Sequence, residues 1–305
     1  MTIKKFTLSI LFFFSGLVIA FAQDATTDSA AAPAKKPLEK TPFESGIFMD
    51  YQTVSIPPAH TLEFILQHRF GTIQQKWTDI FGLWGASNIR LGLNFSVTKN
   101  LLIGLGTTKN YMVQDLQVKY TFAHQRKGGF PLTIAYYGNL GLDARDRKAF
   151  GLEYKFVDRF SWYHQFLFAR RFCKMFSMQL GLAYSHFNKV DSTSMNDVAS
   201  FSLLGRLKVS PQSSIILAFE QPIVLNYDPA FVVRYPNKFM TVQSGTKPYQ
   251  NISLGWEIST STHTFQIFMA AAQGIVPQYV TAGNTNNFWN GFILFGFNLT
   301  RLWSF

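Results

Sequence analysis

The C-terminal stretch Gly291–Phe305, with the sequence GFILFGFNLTRLWSF, decides the fold. Within residues 293–299 every second side chain is apolar, and the opposite side of the stretch carries glycine, asparagine, threonine and serine. This period of two predicts a long β-strand with one apolar and one polar face. The stretch ends in Trp303 and Phe305, and such aromatics are typical of the interfacial girdle of a transmembrane β-barrel. The alternative is a buried edge strand of a soluble β-sandwich.

The composition favours a membrane barrel over membrane helices. The chain has 305 residues, of which 47% are apolar, 16% are aromatic and only 15% are charged, whereas about a quarter of a soluble domain is charged. Beyond the N-terminus no apolar run reaches the roughly 18 residues of a spanning helix. Because only helices and closed barrels satisfy their backbone hydrogen bonds in lipid, this pattern predicts a barrel.

Residues 1–22 are predicted to be a secretory signal peptide that is cleaved. Lys4 and Lys5 form the charged start, an apolar segment follows, and residues 20–22 (Ala-Phe-Ala) are a small-x-small cleavage site. An uncleaved membrane anchor is the alternative. Export together with a barrel pattern predicts the outer membrane of a diderm bacterium.

Two further segments precede the first predicted barrel strand. Residues 23–45 are rich in alanine, proline and lysine, and they carry too little apolar surface to fold, so we expect a disordered periplasmic linker. A periplasmic partner that binds residues 24–45 is one hypothesis for this linker, and a plain spacer is the other. Residues 46–305 are assigned to the barrel, in which the extended segment 46–56 is expected to lie under or inside the wall.

An all-β, antiparallel transmembrane barrel of about 12 strands is predicted from Thr61 onward. The predicted strands are 61–70, 89–97, 101–109, 113–122, 132–142, 159–172, 176–184, 199–209, 213–224, 252–258, 263–275 and 291–305. Short and long connections alternate between them, with the long ones at 71–88, 143–158, 188–197, 225–250 and 276–290. Short periplasmic turns and longer outer loops are the rule for outer-membrane barrels.

Several short motifs resemble those of a known family. They are Gln67–Gly71 (QHRFG), Phe81–Leu83 (FGL) and Asn88–Leu93 (NIRLGL), followed by Leu-Gly at 105–106 and Lys-Tyr at 119–120. The chain resembles the Bacteroidota outer-membrane β-barrel family that is catalogued as a domain of unknown function. The resemblance implies the barrel fold and the outer-membrane location, and it carries over no catalytic or binding residue.

The C-terminal strand also resembles the signature of outer-membrane barrel proteins, which implies recognition by the barrel assembly machinery through Phe305. The net charge is +11, but the basic residues are scattered through turns and strands. A nucleic-acid partner is not expected, because such binding needs clustered basic residues in a recognisable module. Contacts with outer-membrane lipid and lipopolysaccharide are expected instead. Cys173 is the single cysteine, so no internal disulfide is possible.

The sequence offers little catalytic chemistry. His68 and His164 fall on the lipid-facing side by parity, where a lipid-hydrolysing barrel enzyme would need a Ser-His pair. Ser161 is near His164 in sequence, but parity points it to the interior. The six histidines form no metal-binding spacing. We therefore predict no catalytic residue, no metal and no cofactor, and keep a lipid-modifying enzyme as an alternative.

The interior of the predicted barrel is charged. Parity turns a set of charged side chains inward, and we predict that they line a pore: Glu63, Arg69, Arg90, Asp115, Lys119, Arg171, Arg206, Lys208, Glu220 and Glu257. One hypothesis is a narrow or gated passage for small polar or anionic solutes, with the loop 225–250 folded into its mouth or displayed on the surface. The other is a non-conducting structural or adaptor barrel whose interior is cross-linked by ion pairs. It would bind a partner through its loops or its periplasmic tail.

Overall fold

The computed structural model describes residues 36–190, 194–225 and 247–305. The predicted signal peptide 1–22 and residues 23–35 of the predicted linker lie outside the described residues. So does the part of the loop 225–250 that comprises residues 226–246.

Within the described residues, twelve strands form one closed antiparallel barrel, in which each strand pairs with the next and the last pairs with the first. The strands are β3 (Thr61–Thr72), β4 (Asn88–Thr98), β5 (Leu101–Thr108), β6 (Gln114–Ala123), β7 (Thr133–Leu142), β8 (Phe160–Arg171), β9 (Phe176–Phe187), β10 (Asp197–Lys208), β11 (Ser213–Val224), β12 (Asn251–Ser259), β13 (His263–Ala270) and β14 (Leu294–Ser304). The predicted fold class is confirmed.

The wall is apolar outside and polar inside. In β4, Leu91, Leu93 and Phe95 are exposed, whereas Arg90 and Asn94, which have the opposite parity, are buried. This inversion of the usual soluble pattern is what a barrel in lipid requires, because its outer face meets hydrocarbon. The C-terminal stretch closes the ring through pairs such as Asn298 with Gln67 of β3. Among the described residues, no helix is long and apolar enough to cross a membrane.

Apart from 124–132 and 109–113, the connections are sorted by length between the two ends, as predicted. One end, which we call the short-turn end, carries the connections 99–100, 124–132, 172–175, 209–212 and 260–262. The other, which we call the long-loop end, carries 73–87, 109–113, 143–159, 188–196, 225–250 and 271–293. The start of β3 and the end of β14 meet at the short-turn end, where Phe305 N donates to His60 O at 3.2 Å.

The predicted strand 263–275 is wrong beyond Ala270. Residues 271–287, which we call the outer segment, leave the wall and turn into the mouth of the barrel. At the turn, Asn251 Oδ1 accepts hydrogen bonds from Ala271 N at 3.1 Å and from Ala272 N at 2.9 Å. The outer segment carries the short helix α1 (Pro277–Thr281). Its Pro277 has no N–H to donate to a ladder, so the strand cannot continue through it.

The linker prediction is wrong for residues 37–45, which pack on the barrel. At the short-turn end Glu39 N donates to Gln125 O at 2.9 Å, and Lys127 N donates to Pro37 O at 3.0 Å. Phe43 is only 1% exposed and meets Phe48 edge to face, with ring centroids 5.2 Å apart. The apolar surface that this segment appeared to lack is supplied by Phe43 together with the interior wall, so the segment folds.

Residues 43–56, which we call the inner hairpin, fill the interior from the short-turn end. The hairpin pairs β1 (Ile47–Phe48) with β2 (Tyr51–Gln52). Its apolar side chains Phe48, Met49 and Val54 join inward-facing wall residues in one buried cluster. The sequence placed the segment 46–56 under or inside the barrel, and the structure places it inside.

Candidate functional site

The charged end of the inner hairpin is a buried ion pair with the wall. Asp50 Oδ1 accepts from Arg69 Nη2 at 2.8 Å and from Arg69 Nε at 2.9 Å, and neither side chain is exposed. Asp50 Oδ2 accepts from Asn251 Nδ2 at 2.9 Å and from Ser253 Oγ at 2.8 Å. Both carboxylate oxygens are therefore satisfied. β3 and β12 together fix the tip of the hairpin.

The backbone of the hairpin is also bonded to wall side chains. Long polar side chains from β6, β9, β13 and β14 reach inward and take up its N–H and C=O groups. The bonds are Lys119 Nζ to Gly46 O at 2.9 Å, Gln266 Nε2 to Ile47 O at 2.9 Å, Met49 N to Gln266 Oε1 at 2.9 Å, Asn298 Nδ2 to Met49 O at 2.9 Å, Gln179 Nε2 to Gln52 O at 2.8 Å and Val54 N to Gln179 Oε1 at 3.0 Å. The hairpin thus replaces the water that would otherwise bond these wall groups.

Most of the predicted pore-lining residues point inward and are buried. They are Glu63, Arg69, Arg90, Asp115, Lys119, Arg206, Glu220 and Glu257. Arg171 and Lys208 lie at the short-turn end instead. Arg171 Nε donates to Cys173 O at 3.2 Å, and Lys208 Nζ lies 3.5 Å from Glu44 Oε1. The buried members bond the hairpin, the outer segment or one another, except Glu63, whose Oε2 accepts from Asn94 Nδ2 of the wall at 2.7 Å. In this conformation they therefore face protein. That they line a pore stays a prediction.

Interior ion pairs also cross-link the wall. Arg90 of β4 binds Asp115 of β6 through two bonds, Nε to Oδ1 at 2.9 Å and Nη2 to Oδ2 at 2.7 Å. The pair crosses β5 over Gly106, where any β-carbon would overlap with the Arg90 guanidinium. Arg206 of β10 binds Glu257 of β12 at 2.8 Å. Sequence parity found these charges, but it did not identify the partners.

The outer segment closes the interior from the long-loop end. In α1, Gln278 Nε2 donates to Asn139 Oδ1 and to Ser161 Oγ, both at 3.1 Å. Thr281 Oγ1 donates to Glu220 Oε1 at 2.7 Å. The sequence assigned this role to the loop 225–250 as one option and missed the outer segment. Two features of the sequence indicate that the strand ends here. The run Ala270–Ala272 does not alternate between apolar and polar residues, and Pro277 follows shortly after it.

A cavity of about 850 Å³ lies above the outer segment and among the long loops. We call it the vestibule. Tyr279 of α1 stacks on Tyr111, with ring centroids 5.0 Å apart and planes 19° apart, and meets Phe187 edge to face at 5.0 Å. The guanidinium of Arg145 lies 4.5 Å from the centre of the Tyr111 ring. Sequence reasoning missed this group, since its members come from four distant connections and strands.

The cations of the vestibule are bonded to protein oxygens. The contacts are Arg145 Nη2 to Asp143 Oδ2 at 2.7 Å, Arg159 Nη1 to Asp143 O at 2.7 Å and Lys189 Nζ to Asp158 Oδ2 at 3.4 Å. The hydrogen bonds that Arg145 donates to the Asp143 carboxylate raise the pKa of Arg145, which keeps the guanidinium charged. Burial raises the pKa of Tyr279, which keeps its hydroxyl neutral.

Comparison with known proteins identifies the family. The sequence profile of a family described as a membrane-bound β-barrel domain (DUF5777) matches residues 43–303. The chain belongs to this family. The match begins at Phe43, the first residue of the inner hairpin, so the hairpin is part of the family's domain. No curated protein matches the chain in sequence.

Solved barrels resemble the chain at low identity. The NanC porin is 8% identical over 80% of this chain and 98% of its own, with a TM-score of 0.45. The COG4313 outer membrane channel from Pseudomonas putida F1 is 9% identical over 82% of this chain and 97% of its own, with a TM-score of 0.45. The KdgM porin is 7% identical over 80% and 99%, with a TM-score of 0.43. These likenesses concern the barrel fold.

The two histidines considered for lipid hydrolysis lie on the outer wall, as parity predicted. His164 Nδ1 is 2.6 Å from the Tyr136 hydroxyl, and the His68 ring contacts the rings of Phe70 and Phe297. Among the hydrogen bonds of the described residues, none joins either ring to a serine hydroxyl, so the enzyme alternative gains no support. No group of three or more histidine, cysteine, aspartate or glutamate side chains in the described part of the chain could hold a metal ion.

A polar cluster on the outer wall near the long-loop end was also missed. His186 Nδ1 is 2.7 Å from Asp197 Oδ1, and the Tyr184 hydroxyl donates to the same oxygen. The Trp162 ring lies beside His186, with centroids 5.5 Å apart. The cluster joins β8, β9 and β10 on the face that parity assigns to lipid.

Proposed function

We propose that the protein is a gated outer-membrane passage for small polar solutes, held closed by the inner hairpin and by the outer segment, whose Val280 shares the buried cluster of the hairpin. The observation that supports this most directly is the polar wall that the hairpin contacts. Gln179 and Gln266 bond its backbone, and Lys119 bonds Gly46 O at 2.9 Å. Water can replace each of these bonds at a small net cost, because a protein–water bond is formed for each bond that is lost.

A polar wall would hydrate if the hairpin left. The inward side chains of β12 and β13 beside the hairpin include Asn251, Ser253 and Gln266. An interior that served only as a permanent core would be expected to consist of close-packed apolar side chains, which need no partners. The polar part of this wall suits a water-filled passage once the hairpin is displaced. Inward apolar residues such as Leu167 and Phe268, which share the buried cluster of the hairpin, add to the cost of opening.

The closed state is nevertheless strongly favoured. Phe43 and Phe48 are almost fully buried, and exposing a side chain of this size costs about 1.5–3 kcal/mol. Two such side chains alone make spontaneous opening rare, since about 1.4 kcal/mol corresponds to a tenfold change in an equilibrium constant. We therefore expect the wild-type barrel to be silent for most of the time.

The test is single-channel conductance of the refolded mature protein in a planar bilayer. We expect Asp50→Ala to open far more often than the wild type, because Arg69 is left buried without its carboxylate and becomes hydrated when the hairpin leaves. Asp146→Ala is the matched control. Asp146 is an exposed acid on a long loop that caps Lys148 N at 2.8 Å, and its loss should leave conductance unchanged.

Two silent variants together would contradict the gated passage: Asp50→Ala and a chain without residues 37–56. Heat-modifiable gel mobility must show that both variants are folded. The second candidate, a non-conducting structural or adaptor barrel, would then be favoured. Its supporting observation is that residues 37–39 pair with residues 125–127 at the short-turn end. Such a barrel should co-purify with a periplasmic partner through the part of the 24–45 segment that precedes this pairing.

The proposed passage has a defined cellular location and orientation. We place it in the outer membrane of a diderm bacterium, reached through a cleaved signal peptide, with the short-turn end in the periplasm. Lipid and lipopolysaccharide would contact the exposed apolar wall, and the barrel assembly machinery would bind the last strand through Phe305. We propose no enzymatic activity.

A further inference from the structure

Three neighbouring turns at the short-turn end bring together basic residues that are far apart in the sequence. The turns follow β4, β6 and β8, which belong to one continuous run of six paired strands, β4 to β9. His124 Nε2 of the second turn is 2.9 Å from Asn100 Oδ1 of the first. Gln125 Nε2 donates to Arg171 O at 2.8 Å, and Arg171 N donates to Gln125 Oε1 at 2.8 Å. We call the cations of these joined turns the basic arc: Lys99, Arg126, Lys127, Arg170, Arg171 and Lys174.

The surroundings of the basic arc contain few acids. No aspartate or glutamate occurs in the three turns or in the strand ends beside them, residues 96–101, 120–133 and 168–177. The salt bridges of the described residues include none to Lys99, Lys127 or Lys174. Glu39 pairs with the second turn through its backbone, and its carboxylate accepts from the backbone N–H of Lys40 at 3.1 Å. The positive charge of these three lysines is therefore not compensated by an acid in the described part of the chain.

The His124 imidazole, at the start of the second turn, responds to this positive charge. Burial lowers its pKa, and Lys99 and Arg126 lower the pKa further because each cation repels the protonated ring. Cations from two different turns thus act on the same point. A region of positive potential in which an extra positive charge is disfavoured attracts an anion for the same reason.

The positive charge is confined to one half of the short-turn end. The turns after β10 and β12, on the other half, contain no lysine or arginine. Lys208, beside the first of them, lies 3.5 Å from Glu44 Oε1, so a carboxylate compensates its charge. Arg301 of β14 is in register with His263 beside the second. Cations that served only solubility would have no reason to gather on one side, so the asymmetry indicates a surface for an anionic partner.

The basic arc continues onto the lipid-facing wall. Arg170 has the same parity in β8 as His164, which lies on the outer wall, and its guanidinium lies 5.1 Å from the centre of the Phe172 ring. Phe122 and Phe172 are 58% and 55% exposed. Aromatic side chains with cations beside them are typical of the headgroup level of a membrane protein, where long basic side chains extend to the phosphates. An acidic soluble protein would meet the turns, but lipid would separate it from Arg170 and Phe122.

We infer that the basic arc binds the phosphate headgroups of anionic phospholipids in the leaflet at the short-turn end. The ammonium groups of Lys99, Lys127 and Lys174 contact the phosphates. Arg170 holds a headgroup beside Phe172, whose ring contacts the acyl chain. The inference goes beyond the proposed function, because it requires a barrel in a bilayer and no open lumen.

The experiment is electron paramagnetic resonance of spin-labelled lipids in phosphatidylcholine vesicles that contain the refolded mature protein. The probes are phosphatidylglycerol and phosphatidylcholine, which carry the label at the same position of the acyl chain. The motionally restricted fraction of each spectrum measures how strongly that lipid associates with the protein. We expect phosphatidylglycerol to associate about fivefold more strongly at about 0.1 M salt. The preference should disappear at about 1 M salt, because screening then acts within about 3 Å.

A triple variant locates the surface. Lys99→Gln, Lys127→Gln and Lys174→Gln together remove three exposed cations that form no salt bridge within the described residues. The fold should therefore be retained, and heat-modifiable gel mobility checks this. The preference for phosphatidylglycerol should fall to less than about twofold, because most of the local positive charge is lost.

The matched control removes the same charge from the opposite end of the barrel. Arg147→Gln, Lys148→Gln and Lys155→Gln replace three exposed cations of the long loop 143–159. The net charge falls by the same amount as in the triple variant, but the basic arc is intact. We expect this control to keep the preference of the wild type.

The outcomes test the inference independently of the passage. Equal association of the two lipids, a preference that persists at high salt, or equal losses in the triple variant and its control would each overturn it. Displacement of phosphatidylglycerol by inorganic phosphate, beyond the effect of chloride at the same ionic strength, would overturn it in favour of a free anion. A preference that the triple variant loses, in a barrel whose Asp50→Ala variant stays silent, would support the lipid surface and count against the passage.

Discussion

Asp50 and Arg69 show at the residue scale how the closed state is held. Both side chains are fully buried, and the guanidinium also lies 4.5 Å from the centre of the Phe268 ring. Removing one partner of a buried pair costs about 3–5 kcal/mol, because the other charge is left without compensation. If the hairpin can leave, opening of the barrel avoids this cost, because the Arg69 guanidinium is then hydrated.

A double-mutant cycle tests this coupling. Asp50→Ala and Arg69→Met should each raise the ratio of open to closed barrel on the order of 100-fold, which corresponds to about 3 kcal/mol. The double variant buries no uncompensated charge, so it should open less often than either single variant. Single-channel open probability is the measurement. Additive effects of the two substitutions would show that the pair does not hold the hairpin.

Gly106 provides a second test at the residue scale. Gly106→Ala should destabilise the barrel by about 1–3 kcal/mol, because a β-carbon there overlaps with Arg90, and Arg90 cannot move without leaving Asp115. Gly205→Ala is the control, since Gly205 is also a strand glycine and nothing lies within 4 Å of its β-carbon position. The midpoint of the heat-induced gel shift measures both. Equal midpoints for the two variants would contradict this account of the crossing.

At the element scale, the sequence predicted the wall well. The bounds of β11, 213–224, agree with the structure, and most other strands agree to within a few residues. Alternation is informative here because each strand separates lipid from a polar interior, so successive side chains face different surroundings. The inward position of Glu63 and Arg90 follows from the same parity. Their partners depend on strand register and barrel closure, which no local pattern encodes.

The two segments inside the barrel could not be predicted with the same certainty. Residues 45–51 of the inner hairpin are all buried, so no period of two distinguishes one face from another. The outer segment mixes buried Ala271, Val276 and Gln278 without a regular period. Both segments are surrounded by the wall. Neither segment has one face toward lipid and one toward the interior, so neither shows the alternation of apolar and polar residues that marks the wall strands. The vestibule was missed for the same reason, since the outer segment forms its floor.

At the scale of the whole molecule, the barrel is closed by one segment at each end. The inner hairpin enters from the short-turn end, and the outer segment enters from the long-loop end. Glu220 lies between the two closures and accepts from Thr281 Oγ1 at 2.7 Å and from Ser200 Oγ at 2.6 Å. A passage through the barrel therefore requires both segments to move.

Deleting the inner hairpin tests the central claim most directly. The measurement is single-channel conductance of the refolded mature protein without residues 37–56, which comprise the inner hairpin and the segment 37–42 that leads into it, compared with the full mature chain. Heat-modifiable mobility confirms folding of both. We expect frequent discrete current steps from the deletion variant and rare steps from the full chain. Removing the hairpin also removes the apolar surface on which Val280 of the outer segment packs, so we expect the outer closure to loosen with it. A folded deletion variant that remains silent would contradict the account, because the polar wall would then enclose no passage even without the hairpin.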